Sequence, residues 1–347
     1  MIRIGFVGCG HIATVHSYAL RRLADAKLVD ADVVAAFDHD TDRARQLADH
    51  HGAVVADSLD ALLDQVDAVW VCTWTSGHLE AVEAAADRGL AVFCEKPLAP
   101  DLAACERVAA ALARVPHQVG LVLRWSPVYA RAAELIASGT YGRVLATTMR
   151  DDQYFPIQGQ YGSTWRSDVA AAGGGTLIEH SIHDVDVLRW LLGDPVSVRA
   201  AVASHFGYPG IEDLAAVTFT YPTGSTAQLT SVWHQVLARE SSRRIEIFCE
   251  SALLWTEDDY LGPLHVEAGD GSHEIVGVMP EWAGQLSVPE VFHKAVVAYA
   301  TPSKSFLDGL VSGEQPGHPS AADALAAHRL VDLAYRSSAA GGAPLPA

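Results

Sequence analysis

The chain has 347 residues, 50% of them hydrophobic and 19% charged, and a formal net charge of -18. This is globular composition, long enough for two domains and a sizeable core. A surface that acidic repels nucleic acid and anionic membranes, and no apolar run is long enough to cross a bilayer, so neither partner is expected.

The first third alternates strand and helix. "IRIGFVG" is a short apolar strand and "HIATVHSYALRRLADA" has helical spacing. "DADVVAAFD", a polar helix "HDTDRARQLADHHG", "DSLDALLDQ", "VDAVWVCT", "SGHLEAVEAAADRGL", "AVFCEKP", "DLAACERVAAALARV" and "HQVGLVL" follow in rotation. The strands are continuous apolar runs, the mark of a parallel sheet covered on both faces. A doubly wound α/β fold is predicted. After about Arg124 the pattern changes. "VYARAAELIASGTYG" predicts a helix and "RVLATTMRDD" a strand, with a Gly-, Gln- and Tyr-rich stretch over 153–165. "TLIEHSIHDVDVLRWLLG" predicts one strong helix ended by glycine. Residues 196–278 read as strands and turns, with "YPTGS" a hairpin turn. Two helices close the chain, "EVFHKAVVAYATPSKSFLDGLVSG" and "PSAADALAAHRLVDLAYRSSA". The second domain is therefore α+β on a large open mixed or antiparallel sheet. The predicted domains are 1–123 for dinucleotide binding and 124–338 for substrate binding and oligomerisation. The last helices are taken to pack back on the first domain, and 339–347 to be a flexible tail.

Five cysteines, at positions 9, 72, 94, 105 and 249, show neither CxxC spacing nor a pairing pattern. "MIRIGFVGCG" has glycines where a secretory signal needs a long apolar stretch. Reduced thiols and a cytoplasmic location are expected.

The first turn reads Gly8-Cys9-Gly10-His11-Ile12-Ala13, which fits GxGxx(G/A) between a strand and a helix. Gly8 allows the tight turn, Gly10 lets backbone approach a pyrophosphate, and Ala13 lets helix and strand pack closely. The helix N-terminus offers free N–H groups and partial positive charge to phosphate. Asp38 ends the second strand, where an acid accepts from ribose hydroxyls and repels a 2′-phosphate. NAD is the expected cofactor. Arg43, a turn beyond, leaves NADP open.

"FCEKPLAP" at 93–100 places Lys96, one of four lysines, at the end of an apolar strand. By itself a lysine in a βα loop reads as a surface residue. With GxGxxA before it and "GGGTLIEHSIHDVDVLRWLLG" at 173–193 after it, the chain resembles the Gfo/Idh/MocA oxidoreductases over nearly its whole length. The resemblance implies a Rossmann domain, a second domain with a large open sheet, and NAD(P)-dependent oxidation or reduction of a sugar or polyol. It also implies a homodimer or homotetramer.

On that resemblance Lys96 holds the reacting hydroxyl and steadies its oxyanion character, and Pro97 follows in a cis turn. The usual GGG-x-L-x-Asp-x-Gly-x-His-x-x-Asp pattern is altered here. Glu179 replaces the Asp, His180 fills the variable position, and Ser181 replaces the Gly. His183 matches the His and is the expected general base. Asp186 matches the last Asp and is read as structural. Glu179, four residues before His183, is placed on the same helical face and completes the expected catalytic set. Thr73, Trp74 and His78 of "CTWTSGH", with Glu95 and Lys96, join His11 and Ile12 as expected cofactor contacts. The family often has Thr-Pro where Thr73-Trp74 stand. Arg124, Tyr154, Trp165, Arg166 and His180 are the expected substrate contacts, since aromatic rings and arginine suit hydroxylated rings. Tyr161 belongs to the same stretch. No metal is expected, because Glu179, His180 and His183 lack zinc-site spacing. Two other readings remain open: a redox-cycling elimination or hydrolysis on tightly held NAD, and a non-catalytic NAD-binding regulator.

Overall fold

The computed structural model describes residues 1–347 apart from 160, 240, 258–261, 278 and 315–318. Val278, where the strand-rich region is predicted to end, lies outside the described residues. In chain order the elements are β1 (Ile2–Val7), α1 (His11–Asp25), β2 (Ala31–Phe37), α2 (Thr41–His51), β3 (Val54–Val55), α3 (Leu59–Leu63), β4 (Ala68–Val71), α4 (His78–Asp87), β5 (Ala91–Cys94), α5 (Leu102–Leu112) and β6 (His117–Val119). Next come α6 (Pro127–Ser138), β7 (Val144–Tyr154), α7 (Val169–Ala172), α8 (Thr176–Glu179) and α9 (Ile182–Leu192). Then follow β8 (Ser197–Ala203), β9 (Leu214–Thr220), β10 (Thr226–His234), β11 (Ser242–Cys249), β12 (Ala252–Thr256), β13 (Leu264–Ala268) and β14 (His273–Val276). The chain closes with α10 (Glu290–Ser312), α11 (Ala321–Ala339) and β15 (Leu345–Pro346). They form two compact units, Met1–Val122 with Pro280–Leu325, and Leu123–Met279 with Ala326–Ala347.

The first unit holds a six-stranded parallel sheet in the order β3-β2-β1-β4-β5-β6. This is the strand order of a Rossmann sheet. β4 and β5 are buried at every residue, as strands covered on both faces must be. Local chemistry sets the helix ends. Asp40, Ser58 and Asp101 cap α2, α3 and α5 by accepting from backbone N–H groups, and Gly52 stops α2 in the left-handed conformation. At the centre Trp70 stacks on Phe93 at 5.4 Å, and Phe306 from α10 meets both rings edge-on. Burying each such ring is worth about 2–3 kcal/mol in transfer free energy, which is what draws 280–325 into the first unit.

The second unit is built on a nine-stranded sheet in the order β14-β13-β12-β11-β7-β10-β9-β8-β15. β7 and β10 run parallel and their other neighbours are antiparallel, so the sheet is mixed. Burial alternates along β10 and β11, as it does when one sheet face is covered. Helices α6, α8 and α9 pack together and against this sheet.

Two expectations are corrected. The helix predicted as one piece from Thr176 is two, α8 and α9, broken at His180 and Ser181. The Ser181 amide reaches back to the Thr176 carbonyl at 2.9 Å, and its own carbonyl starts α9 by accepting from Asp184 and Val185. Its hydroxyl is drawn out of the helix toward Asp151 and Ser231, a local competitor that favours a helix start over a helix interior. Glu179 and His183 are therefore not successive turns of one helix. The end of the predicted flexible tail is ordered: Leu345 and Pro346 pair with β8, and the Ala347 amide donates to the Val196 carbonyl. A main-chain ladder outweighs the flexibility of the two preceding glycines.

Candidate functional site

Within the first unit, the predicted cofactor residues gather beyond the carboxyl ends of β1, β2, β4 and β5. Gly8 has φ +83, and a Cβ there would sit 2.6 Å from the Thr73 amide nitrogen and 2.7 Å from the Cys72 carbonyl carbon and oxygen. Only glycine brings the turn this close to the β4 loop. Gly10 caps α1 without a side-chain hydrogen bond, and the space its Cβ would occupy is open to 4 Å. No acidic residue stands in the first turn of α1. An uncapped helix N-terminus beside an open glycine fits a pyrophosphate. His11 is exposed and Ile12 half-buried at this end, while Ala13 is fully buried against the sheet.

Asp38 shapes the loop as well as marking its edge. One carboxylate oxygen accepts from the Cys9 amide at 2.7 Å and the other from the Asp40 amide at 2.8 Å. Each oxygen keeps a lone pair for a ribose hydroxyl. Arg43, the residue that left NADP open, is paired with Asp40 at 3.3 Å. Trp74 is 43% exposed and stacks on His39 with ring centroids 6.0 Å apart. His78 is buried, and its Nδ1 and Nε2 lie 2.7 Å and 3.3 Å from the carbonyls of Pro97 and Thr73. It joins the loop after β4 to the turn after β5. Lys96 is half-buried at the end of β5, and the Lys96–Pro97 peptide is cis. Glu95 is buried, with His16 of α1 on one oxygen at 2.7 Å and the Lys96 amide on the other at 3.1 Å.

The second unit gathers the altered motif. Glu179 is 2% exposed and accepts from Arg166 Nε at 3.0 Å, and that guanidinium lies 4.4 Å over the Trp165 ring. Glu179, Arg166 and Trp165 form one assembly. Arg124 is likewise engaged, donating from Nε and Nη2 to the two oxygens of Asp186, both at 2.7 Å. Such a buried two-point pair orients a helix and leaves less of the guanidinium for a ligand. Tyr154 is buried with its ring 5.4 Å from that of Tyr161. His183 lies in the first turn of α9 and is 6% exposed.

His180 leans on a cluster that the motif alone does not announce. Its Nδ1 lies 3.1 Å from Asp151 Oδ2, an ion pair when the ring is protonated. Arg243 donates to Asp184 at 2.5 Å and to Asp151 at 3.0 Å, and Ser181 adds a bond to Asp151 at 2.8 Å. Burial alone would raise the Asp151 carboxyl. Arg243, His180 and the hydrogen bonds from Asp184 and Ser181 bring it down to about 2. Burial pushes Asp184 well above the usual carboxyl range against the pull of Arg243, and the Asp151 charge pushes the same way. Of the two carboxyls, Asp184 is the harder to ionise.

Sequence reasoning missed His16, Asp151, Asp184 and Arg243. Weak signals existed. Arg243 has the strand parity of the buried Ile245 and Ile247, Asp151 that of the buried Met149, and His16 lies on the stripe of Ala13, Leu20 and Leu23. A polar residue on an apolar stripe calls for a partner. Among the described residues no group of three or more His, Cys, Asp or Glu could hold a metal ion.

Comparison with known proteins follows the same lines. Residues 2–121 match the oxidoreductase family with an NAD-binding Rossmann fold, and residues 129–254 match the GFO/IDH/MocA C-terminal domain. The chain is 31% identical to inositol 2-dehydrogenase of Rhizobium meliloti (strain 1021), with 97% of each chain covered. It is 28% identical to myo-inositol 2-dehydrogenase of Thermotoga maritima, over 91% of this chain and 90% of that one. Among solved structures, levoglucosan dehydrogenase in complex with NADH and L-sorbose superposes with a TM-score of 0.86 at 18% identity, covering 100% of this chain and 98% of the other. At that identity the likeness is one of fold.

The buried cluster makes a prediction about stability. Arg243→Leu strands an ionised Asp151 away from water, and breaking a buried pair in this way costs about 3–5 kcal/mol. A carboxyl lowered from 3.8 to about 2 on folding stabilises the fold above 3.8 and loses that contribution as pH falls through about 2. In urea unfolding the gap between wild type and Arg243→Leu should be largest near neutrality and narrow steadily below 3.8. A gap that stays constant with pH would contradict this account of the cluster.

Proposed function

The chain belongs to the Gfo/Idh/MocA oxidoreductase family, and on that premise we propose that it acts on a hydroxyl of a polyol or cyclitol, with Lys96 and His183 in the catalytic roles that the family resemblance implies. The enzyme is NAD-dependent and transfers a hydride between that cofactor and the carbon bearing the hydroxyl. Bound NAD+ supplies the hydride acceptor. Lys96 donates a hydrogen bond to the hydroxyl oxygen and stabilises its negative charge as the C–H bond breaks. His183 takes the hydroxyl proton, which suits an imidazole near neutral pH. In the reverse direction the same groups return the proton to the oxygen of a ketone.

One observation carries this reading: Lys96 follows β5 in the same parallel sheet whose β1 ends at the Gly8 turn. Ligands of open parallel sheets bind beyond the carboxyl ends of the strands, where both residues stand. Asp38, holding the glycine loop while keeping lone pairs for ribose, supports NAD over NADP. Glu179 is tied to Arg166 and serves the substrate through it, with Trp165 as a face for the ring. We take 1–123 to hold the cofactor and 124–338 the substrate, except that 280–325 belongs to the first compact unit.

The absorbance of NADH at 340 nm gives the test, with NAD+ or NADP+ and a panel of inositols, sugars and anhydrosugars. Turnover should appear with NAD+ and a cyclitol or polyol. It should fall by about 100-fold or more in Lys96→Ala, the scale for losing a charge-stabilising donor. Full activity in Lys96→Ala would remove Lys96 from the mechanism.

We also propose a cytoplasmic homodimer or homotetramer. All five cysteines are free and buried, which suits a reducing compartment. Phe248 on β11 is 42% exposed on the same strand parity as the exposed Arg244 and Glu246, an apolar side chain that a second copy would cover. Light scattering on the purified protein should give two or four times the 37.0 kDa chain mass. A 37.0 kDa species would contradict the assembly.

A further inference from the structure

We propose that His16 is a positioning residue for Lys96 and acts through Glu95. The inference rests on the reading of Lys96 as the charge-stabilising cation. It goes beyond that reading by naming the parts that hold the lysine in place.

His16 is fully buried in α1, 79 residues from the carboxylate it contacts. Its Nε2 lies 2.7 Å from Glu95 Oε1. An ionised carboxylate only accepts, so Nε2 carries the hydrogen and donates. The ring cannot swing away easily. Phe93 meets it edge-on with centroids 5.0 Å apart, and Tyr299 of α10 does so at 5.1 Å. The other ring nitrogen, Nδ1, is buried without a hydrogen-bond partner, so the polar commitment of this side chain is to Glu95.

Glu95 passes the constraint on. Its second oxygen accepts from the Lys96 backbone amide at 3.1 Å. The carboxylate thus bridges a fixed helix residue and the peptide that carries Lys96. Room for it is provided by Gly120 beyond β6, where a Cβ would sit 2.5 Å from Glu95 Oε1. A buried hydrogen-bonded bridge of this kind fixes side-chain geometry more tightly than a loop can.

The bridge also has an electrical side. Burial alone would raise the Glu95 carboxyl, but the His16 bond and charge, then the Lys96 charge and amide, hold it below the usual glutamate value. The other titratable groups facing it are the thiols of Cys72 and Cys94, with Tyr299 beyond the His16 ring. Burial drives both thiols well up, and the Glu95 charge adds to this, so they stay neutral. Without the His16 donor, the largest influence opposing burial is gone and the Glu95 carboxyl rises. Once protonated, it loses its attraction for the Lys96 ammonium.

The test compares His16→Leu with His16→Gln, which keeps a side-chain N–H donor, and with the double variant His16→Leu/Glu95→Gln. In His16→Leu, kcat should fall about 10- to 100-fold at neutral pH, the scale set by one buried unpaired group. The KM for NAD+ should change little. The lost kcat should return as pH rises and Glu95 ionises, giving a limb absent from wild type, from His16→Gln and from the double variant. Infrared spectra of the cofactor-free protein give a second readout. His16→Leu should gain the C=O stretch of a protonated carboxyl, and the double variant should lack it. If His16→Leu does not fold, His16→Asn, too short to reach Oε1, replaces it. A loss that is equal at every pH, or no new carboxyl band, overturns the inference. An active Lys96→Ala would instead sink the reading of Lys96, and the infrared band would still decide whether His16 governs Glu95.

Discussion

A carboxylate taken out of water must be met by a cation or by hydrogen-bond donors, and both units are arranged around that requirement. The chain has 42 acidic residues against 24 lysines and arginines, so most acids stay on the surface. Those that are buried each have named partners, Asp152 in Arg150 and Arg239 and Asp213 in the amides of His205 and Phe206. Glu95 is met by His16 and a backbone amide, Glu179 by Arg166, and Asp186 by Arg124. Asp151 and Asp184 are met by Arg243, and Glu212 by the amides of Gly175 and Leu177 and the Tyr335 hydroxyl. Two of these acids stand beside proposed site residues: Glu95 holds the Lys96 amide, and Asp151 lies against His180.

The Rossmann unit was legible because its information is local. A glycine turn, an aspartate at a strand end and continuous apolar runs are each written within a few adjacent residues. The caps of α2, α3 and α5 could be read the same way. The second unit resisted for the opposite reason. Arg243 and Asp151 lie 92 residues apart, and only strand pairing brings them together. The motif from Thr176 has good helical periodicity, yet Ser181 leaves the helix because its hydroxyl has better partners across the sheet. The same break overturned the placing of Glu179 above His183. At the C-terminus, composition pointed to a loose end, while the open edge of β8 supplied a ladder for it.

The two units solve different problems. Around the glycine turn, side chains such as Asp38 and His78 hold the loops in shape. Around the altered motif, side-chain charges are balanced in pairs. Glu179 in place of the usual aspartate is accommodated by Arg166 and Trp165. Ser181 in place of glycine is accommodated by Asp151 and Ser231. The departures from the family pattern are thus coupled to named neighbours.

The central claim is that a hydride passes directly from a substrate carbon to NAD+ and leaves as NADH. The most direct measurement uses myo-inositol deuterated at its ring carbons, or the best substrate of the screen labelled in the same way. The NADH formed is then examined by mass spectrometry and NMR. The account predicts one deuterium at nicotinamide C4 for each molecule oxidised. Deuterium appearing in water or retained in product, with no net NADH formed, would contradict it and point to internal redox cycling on tightly held NAD.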